Sequence, residues 1–212
     1  MKAHDYKRSR MRGILSGALS IVMILAGVAL ISSFFFAGGL GSVASNSAEP
    51  GGFSVPSLSG GGADASGGPE DKTLLLTVPG MSRLDEAAVP TAEGTDTEAL
   101  DDNHAIHLNG TGFPWQEEAN VYLAGHRLGY PASDSFLAFY DLPSLENGDE
   151  VFLTDAEGTR YTYEVYEQKT VPPTDLSVTE PISGRNILTL QTCTLPDYSQ
   201  RLVVHAELVE TA

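Results

Sequence analysis

Six short runs of strand-forming residues between 73 and 209, each closed by a Pro, a Gly or a polar turn, limit the fold more than any other feature. "TLLLTVP" (73–79) stops at Pro79 and Gly80. "ANVYLAGH" (119–126) alternates, with Val121 and Leu123 on one face. "EVFLTD" (150–155) and "RYTYEVYEQ" (160–168) flank "AEGT", a hairpin turn signal. "NILTLQTC" (186–193) and "RLVVHAELV" (201–209) complete the series. Helical patterning is scarce. The best candidate is 135–146, where Phe136, Phe139, Tyr140 and Leu142 have mixed spacing and Pro143 interrupts. Many short strands with little helix predict an all-β sandwich or closed barrel. About 140 residues suffice for one such core.

The segments before residue 73 read differently. Residues 14–37 carry no charge and, as a helix of about 36 Å, would cross a hydrocarbon core of about 30 Å. A cleavable signal peptide is the competing reading, but its apolar region runs to only about 7–15 residues. Lys2, Lys7, Arg8, Arg10 and Arg12 precede the run and predict a cytoplasmic N-terminus. The expected organisation is a basic cytoplasmic tail (1–12), a transmembrane signal anchor (13–37), a Gly/Ser/Pro-rich linker (38–72) and an extracellular folded domain (73–212). The chain is thus expected in the cell membrane, as a single-pass protein. The linker has too little apolar surface to fold, and as a coil would span roughly 30–35 Å.

Residues 13–212 hold 7 basic and 27 acidic side chains, a net charge of −20. Such a body repels phosphate, so no nucleic-acid partner is expected. The single cysteine, Cys193, excludes an internal disulfide framework.

Cys193 ends the run "NILTLQTC". On composition alone a buried inert thiol is the better reading and a nucleophile the alternative, because free cysteine is among the most buried residue types. A nucleophile needs thiolate character and a donor for the oxyanion it creates. The short connection "TLPDYSQ" predicts that the strands ending at Cys193 and starting at Arg201 are antiparallel neighbours. Arg201 would then reach the thiol as an oxyanion donor or substrate clamp, never as a base. Of five histidines, His4 falls in the tail, His104 and His107 lie in a polar approach to a strand, and His205 lies within the last strand. His126 follows the small Ala124-Gly125 pair at a strand end, where functional groups gather.

"TLQTC" with an arginine eight residues on, at the start of "RLVVHAEL", resembles the sortase signature of a TLxTC strand and a downstream arginine. "NVYLAGHR" is similar to the sortase segment that carries the catalytic histidine. "LLLTVPG" and "GDEVFLTDAEGTRYTYEV" resemble the first strand and the central hairpin. The likeness runs over about 73–209. It implies a closed eight-stranded sortase-type β-barrel with short helices, and a cysteine transpeptidase acting by acyl transfer. Residue by residue, it implies Cys193 as nucleophile, His126 as general acid/base and Arg201 as oxyanion stabiliser. Thr192 matches the motif threonine, and Thr194 is expected to offer a backbone N–H to the oxyanion; both are candidate substrate-binding residues.

"HRLGYP" puts Tyr130 four residues past His126. It resembles the class E pattern HRTTYG, whose tyrosine is associated with reading alanine in an LAxTG-type signal, although Leu128 and Gly129 replace the two threonines. "VPPTDLSVTEP" (171–181) resembles the class E loop that forms one wall of the substrate groove. The absence of an Asp-Pro-aromatic motif from the linker, and of a second apolar span after residue 209, speaks against a pilin-polymerising class C enzyme. The implied partners are proteins with a C-terminal LAxTG/LPxTG-type sorting signal, a peptidoglycan precursor amine and the membrane. No cofactor and no metal are expected: Glu117 and Glu118 are two adjacent carboxylates, whereas calcium takes six or more oxygens. Two alternatives are a tethered peptide-binding module without catalysis and a thiol peptidase that transfers to water.

Overall fold

The computed structural model describes Val55, Pro56, Leu58 and residues 67–212. The chain divides into two units, 1–47 and 48–212, and the first lies outside the described residues, as does the expected anchor at 13–37. Among the described residues no helix is long and apolar enough to cross a membrane.

Nine strands form one sheet: β1 (Leu74–Thr77), β2 (Ala87–Val89), β3 (Thr91–Ala92), β4 (Ile106–Leu108), β5 (Asn120–Ala124), β6 (Glu150–Thr154), β7 (Arg160–Val171), β8 (Ile187–Cys193) and β9 (Arg201–Thr211). Their order is β2-β1-β6-β7-β9-β8-β5-β4-β3. The two edges, β2 and β3, are consecutive in the chain and separated only by Pro90. β2 pairs with β1 and β3 with β4, so residues 87–92 carry both edges and bring the sheet round into a nearly closed barrel. Proline has no N–H to donate to a ladder, which splits this stretch in two. That accounts for nine strands where eight were expected.

β7 is twelve residues long and pairs with both β6 and β9. Its register against β9 shifts at Thr162/Tyr163 and at Val165/Glu167. Such bulges bend and twist a strand, which a closing sheet requires.

Alternation along the central strands feeds two buried clusters. Val121, Leu123, Leu188, Leu190, Leu202 and Val204 join Val151, Leu153, Tyr163 and Val165 in the barrel interior. Tyr122, Ala124, Cys193 and Val203 point the other way. There they meet Leu100, Ile106, Leu108, Val171 and Val178, which form an outer layer. β5 and β8 are therefore buried on both faces, at every residue.

The expected helix at 135–146 is absent. The stretch is a series of turns ending in a 3-10 helix, Leu142–Ser144, with Pro143 in its first turn. The helix that does form is α1, Thr97–Asp102, which the apolar pattern did not reveal. It is six residues long and buries one side chain, Leu100. The Asp96 carboxylate caps it by accepting from the Ala99 N–H at 3.0 Å.

Besides His126, two histidines are buried. His107 Nε2 lies 2.9 Å from the Gly112 carbonyl, and His205 Nδ1 lies 2.9 Å from the Thr189 hydroxyl. Burial pushes His107 down to about 4, against the pull of the Gly112 carbonyl. Burial, reinforced by the Lys169 charge, pushes His205 down to about 4. Folded values below the ordinary 6.5 mean that the unfolded chain takes up protons first. This stabilisation is whole above about pH 6.5 and is lost as pH falls towards about 4. Urea denaturation should therefore give a lower midpoint at pH 5.5 than at pH 7.5, where most carboxylates have yet to titrate. Equal midpoints would contradict neutral burial of these two imidazoles.

Candidate active site

Three neighbouring strands deliver the site. β5 and β8 run parallel with Ala124 opposite Gln191. β5 ends there and His126 follows two residues later, while Cys193 lies two residues past Gln191 at the end of β8. β8 and β9 run antiparallel with Cys193 opposite Arg201. Directly opposite residues share a face, so Cys193 and Arg201 lie side by side on the outer face, outside the barrel interior. All three residues are buried, Cys193 to 1% exposure.

The chain past β5 is held against β8. Gly125 N–H donates to the Gln191 carbonyl at 3.1 Å, and the Thr192 hydroxyl donates to the Gly125 carbonyl at 2.8 Å. A Cβ on Gly125 would sit 2.8 Å from the His104 carbonyl oxygen. The small pair before His126 thus admits another stretch of backbone. Thr192 alternates with Cys193, so its side chain lies on the opposite face. Its hydroxyl supports the histidine segment.

Asp101, in the last turn of α1, places Oδ1 2.8 Å from His126 Nε2. The side chains are 4% exposed for His126 and 35% for Asp101. α1 is tied to the loop after His126 through Ser133, whose hydroxyl donates to the Asp101 carbonyl at 2.7 Å and lies 2.7 Å from that of Ser135. The Phe139 N–H donates to the His126 carbonyl at 3.1 Å. The Tyr130 ring stands edge-on to the imidazole, with centroids 5.6 Å apart. Gly129 adopts φ +60°, and a Cβ there would be 2.1 Å from the Ser135 carbonyl oxygen. A threonine at 129 is incompatible with this turn.

Arg201 Nη1 donates to the carbonyls of Tyr198 and Gln200, both at 3.1 Å. These bonds set the guanidinium beside the β8–β9 turn. The Thr194 N–H, expected to serve the oxyanion, donates to the Gln200 carbonyl at 3.1 Å in this structure. The Thr194 hydroxyl also contacts Gln200, so its polar contacts in this structure stay within the turn.

The connection from β7 to β8 forms a wall beside the outer face. Its 3-10 helix, Leu176–Thr179, contributes Val178 to the outer cluster. Asn120 Nδ2 donates to the Val178 and Glu180 carbonyls at 3.0 Å each, and Asn120 Oδ1 accepts from the Thr189 hydroxyl at 2.7 Å. Asp101 and Asn120 are the site residues that sequence reasoning missed. Only the cap signal Asp96-Thr97 hinted at α1, and Asn120 looked like an ordinary strand start.

Glu117 and Glu118 line a surface pocket with Arg185, Asn186 and Glu207, where the Arg185 guanidinium pairs with Glu207. Among the described residues no group of three or more His, Cys, Asp and Glu side chains is arranged to hold a metal ion.

Cys193 at the end of β8 stands opposite Arg201 at the start of β9, and His126 follows two residues after the end of β5. A family model described as "Sortase domain" matches residues 76–209. The chain belongs to the sortase family. It is 37% identical over 92 residues to Sortase A of Streptococcus agalactiae serotype III, covering 43% of this chain and 37% of that protein. It is 35% identical over 95 residues to Sortase A of Listeria monocytogenes serovar 1/2a, covering 44% and 40%. The matches thus span well under half the length of these curated sortases. Among solved structures, the pilus island 1 sortase C2 of group B Streptococcus superposes with a TM-score of 0.56 at 26% identity, covering 68% of this chain and 77% of that one. Sortase C-1 of Actinomyces oris superposes with a TM-score of 0.55 at 28% identity, covering 66% and 74%.

Replacing Thr192 by Val keeps the shape of this sortase strand but leaves the buried Gly125 carbonyl without its donor. Chemical denaturation should show a loss of about 1–3 kcal/mol. An unchanged midpoint would mean that the hydroxyl does not hold the histidine segment.

Proposed function

We propose that the chain is a cysteine transpeptidase that cleaves an LAxTG/LPxTG-type sorting signal between Thr and Gly and transfers the protein to a cell-wall amine. The observation that supports this reading is the strand pairing: Cys193 on β8 stands opposite Arg201 on β9, and His126 follows two residues after β5, the parallel neighbour of β8. A peptide-binding module has no need of a thiol beside a guanidinium with an imidazole just past the neighbouring strand. The domain is held at the outer face of the cell membrane by the uncharged run at 14–37, with the basic tail in the cytoplasm. The class E reading draws its support from Tyr130, which stands against the imidazole four residues past it.

The Cys193 thiolate attacks the threonine carbonyl carbon, and Arg201 stabilises the oxyanion. The carbon–nitrogen bond breaks as the His126 imidazolium gives its proton to the departing glycine amine. The resulting thioester is attacked by the acceptor amine. His126 takes the amine proton, the new amide forms and the thiolate is released. Asp101 is a positioning residue: its carboxylate, 2.8 Å from Nε2, orients the imidazole.

Replacing Cys193 by Ala should abolish peptide cleavage and thioester capture, and Arg201→Lys should be severely impaired because the planar fork is lost. With an acceptor amine present, ligated product should accumulate. Release to water alone would identify a thiol peptidase. Retained turnover in the Cys193→Ala variant would overturn the assignment.

The reaction needs a thiolate and an imidazolium at once, so kcat/KM should be bell-shaped in pH. Asp101→Asn should lower the height of that bell with little change in KM, because a neutral amide holds the imidazole less firmly than a carboxylate. A profile of unchanged height would mean that Asp101 only packs against the ring.

A further inference from the structure

Gln191 stands two residues before Cys193, at the position that the TLxTC pattern leaves open. Side chains two apart on a strand share a face, about 7 Å along it. Gln191 therefore lies on the outer face with the sulfur, and it is 2% exposed. Only one end of its carboxamide is satisfied. The Tyr122 hydroxyl donates to Oε1, while Nε2 has no hydrogen-bond partner among the described residues. The side chains opposite cannot supply an acceptor, because Ala124 on β5 and Val203 on β9 are apolar. Thr189, the next residue back on this face, is engaged by Asn120 and His205. Burial pushes the Tyr122 phenol up, so it stays protonated and keeps donating. The Tyr122 bond thus fixes which end of the amide is free. A buried donor without an acceptor is costly and rare in a folded protein. It is accounted for if the acceptor arrives with a ligand.

We infer that Gln191 is a substrate-binding residue whose Nε2 donates to a backbone carbonyl of the acyl donor, two residues before the scissile threonine, and that Tyr122 is the positioning residue that aims it. The inference rests on the reading of Cys193 as the nucleophile. An extended peptide advances about 3.3 Å per residue, so an offset of two residues on β8 matches two residues of the peptide. Beyond Gln191 the same face runs through Thr189 to Asn120 and the wall between β7 and β8. In the other direction it ends at Cys193 and Arg201, where the turn to β9 begins. The acyl part, which stays attached in the thioester, fits the walled direction, and the departing glycine fits the end at the turn. In an LAxTG/LPxTG-type signal the carbonyl concerned belongs to the Ala or Pro. It is present with either residue, so Gln191 holds the peptide backbone and leaves the choice of side chain to other groups.

The test measures binding to the full chain carrying Cys193→Ala, with a fluorescent LAxTG peptide followed by polarisation, so no turnover is needed. Adding Gln191→Met and Tyr122→Phe together removes both polar partners at nearly constant shape. Kd should rise about tenfold, the weight of one buried hydrogen bond. Tm should stay equal or rise, because an unpaired donor has gone. Unaltered Kd overturns the inference, whatever the Tm. Gln191→Glu keeps an acceptor for Tyr122 but has no donor, and it should weaken binding too. A peptide with a thiocarbonyl at its Ala, a poorer acceptor, should bind the chain that keeps Gln191 several-fold more weakly than the ordinary peptide, and the variants no more weakly. An equal penalty in both means that another group reads this carbonyl, and overturns the inference even where Kd has risen. Weaker binding by the variants of a chain that never cleaves the peptide upholds the subsite and defeats the transpeptidase reading. Normal cleavage with unaltered affinity does the reverse.

Discussion

The site depends on β8 being paired on both sides, parallel to β5 and antiparallel to β9. A one-residue slip in either ladder would carry a whole set of side chains to the opposite face. The fully buried surfaces of these strands guard against that slip. Leu188 and Leu190 are committed to the barrel interior with Val121, Leu123, Leu202 and Val204. Cys193 must therefore face outward. The Thr192 hydroxyl extends the same constraint past the end of β5 by holding the Gly125 carbonyl, so the position of His126 is inherited from β8.

Around this frame the outer layer is fastened by polar contacts. α1 is too short to be stable alone, since isolated helices below about 12–15 residues are marginal. Its position comes from Leu100 in the outer cluster, from Ser133 on the Asp101 carbonyl and from the His126–Asp101 contact. The wall between β7 and β8 is fastened by Asn120, whose amide holds two carbonyls of the wall while its oxygen accepts from Thr189. The buried Asn120 amide and Thr189 hydroxyl are thereby satisfied, as burial without a partner would be costly. Layer and wall therefore meet the sheet at fixed places and leave the outer face of β5, β8 and β9 as the surface between them.

Much of this was legible in the chain. The six longest strands appear where alternation and turn residues placed them, because a barrel strand writes its two faces directly into a period of two. The neighbouring positions of Cys193 and Arg201 followed from a short connection. The short strands β2, β3 and β4 were not legible, since two or three residues carry no period. The aromatic stretch 135–146 misled because Phe139 and Leu142 are buried by contacts with the barrel and not by a helical stripe. Leu137 at φ +56° and Pro143 both work against a continuous helix.

The sequence by itself determined the strand content, the nucleophile candidate and its arginine, because these rest on local pattern and short connections. Tertiary structure alone decided which face Cys193 takes, that β5 lies parallel beside β8, and that Asp101 reaches His126 across 25 residues of chain. It also assigned Thr192 and the Thr194 N–H to supporting bonds within the protein. The physical reason is common to all of these. A side chain's chemistry is local, but its partner is chosen by burial in a closed sheet, and burial belongs to the whole fold.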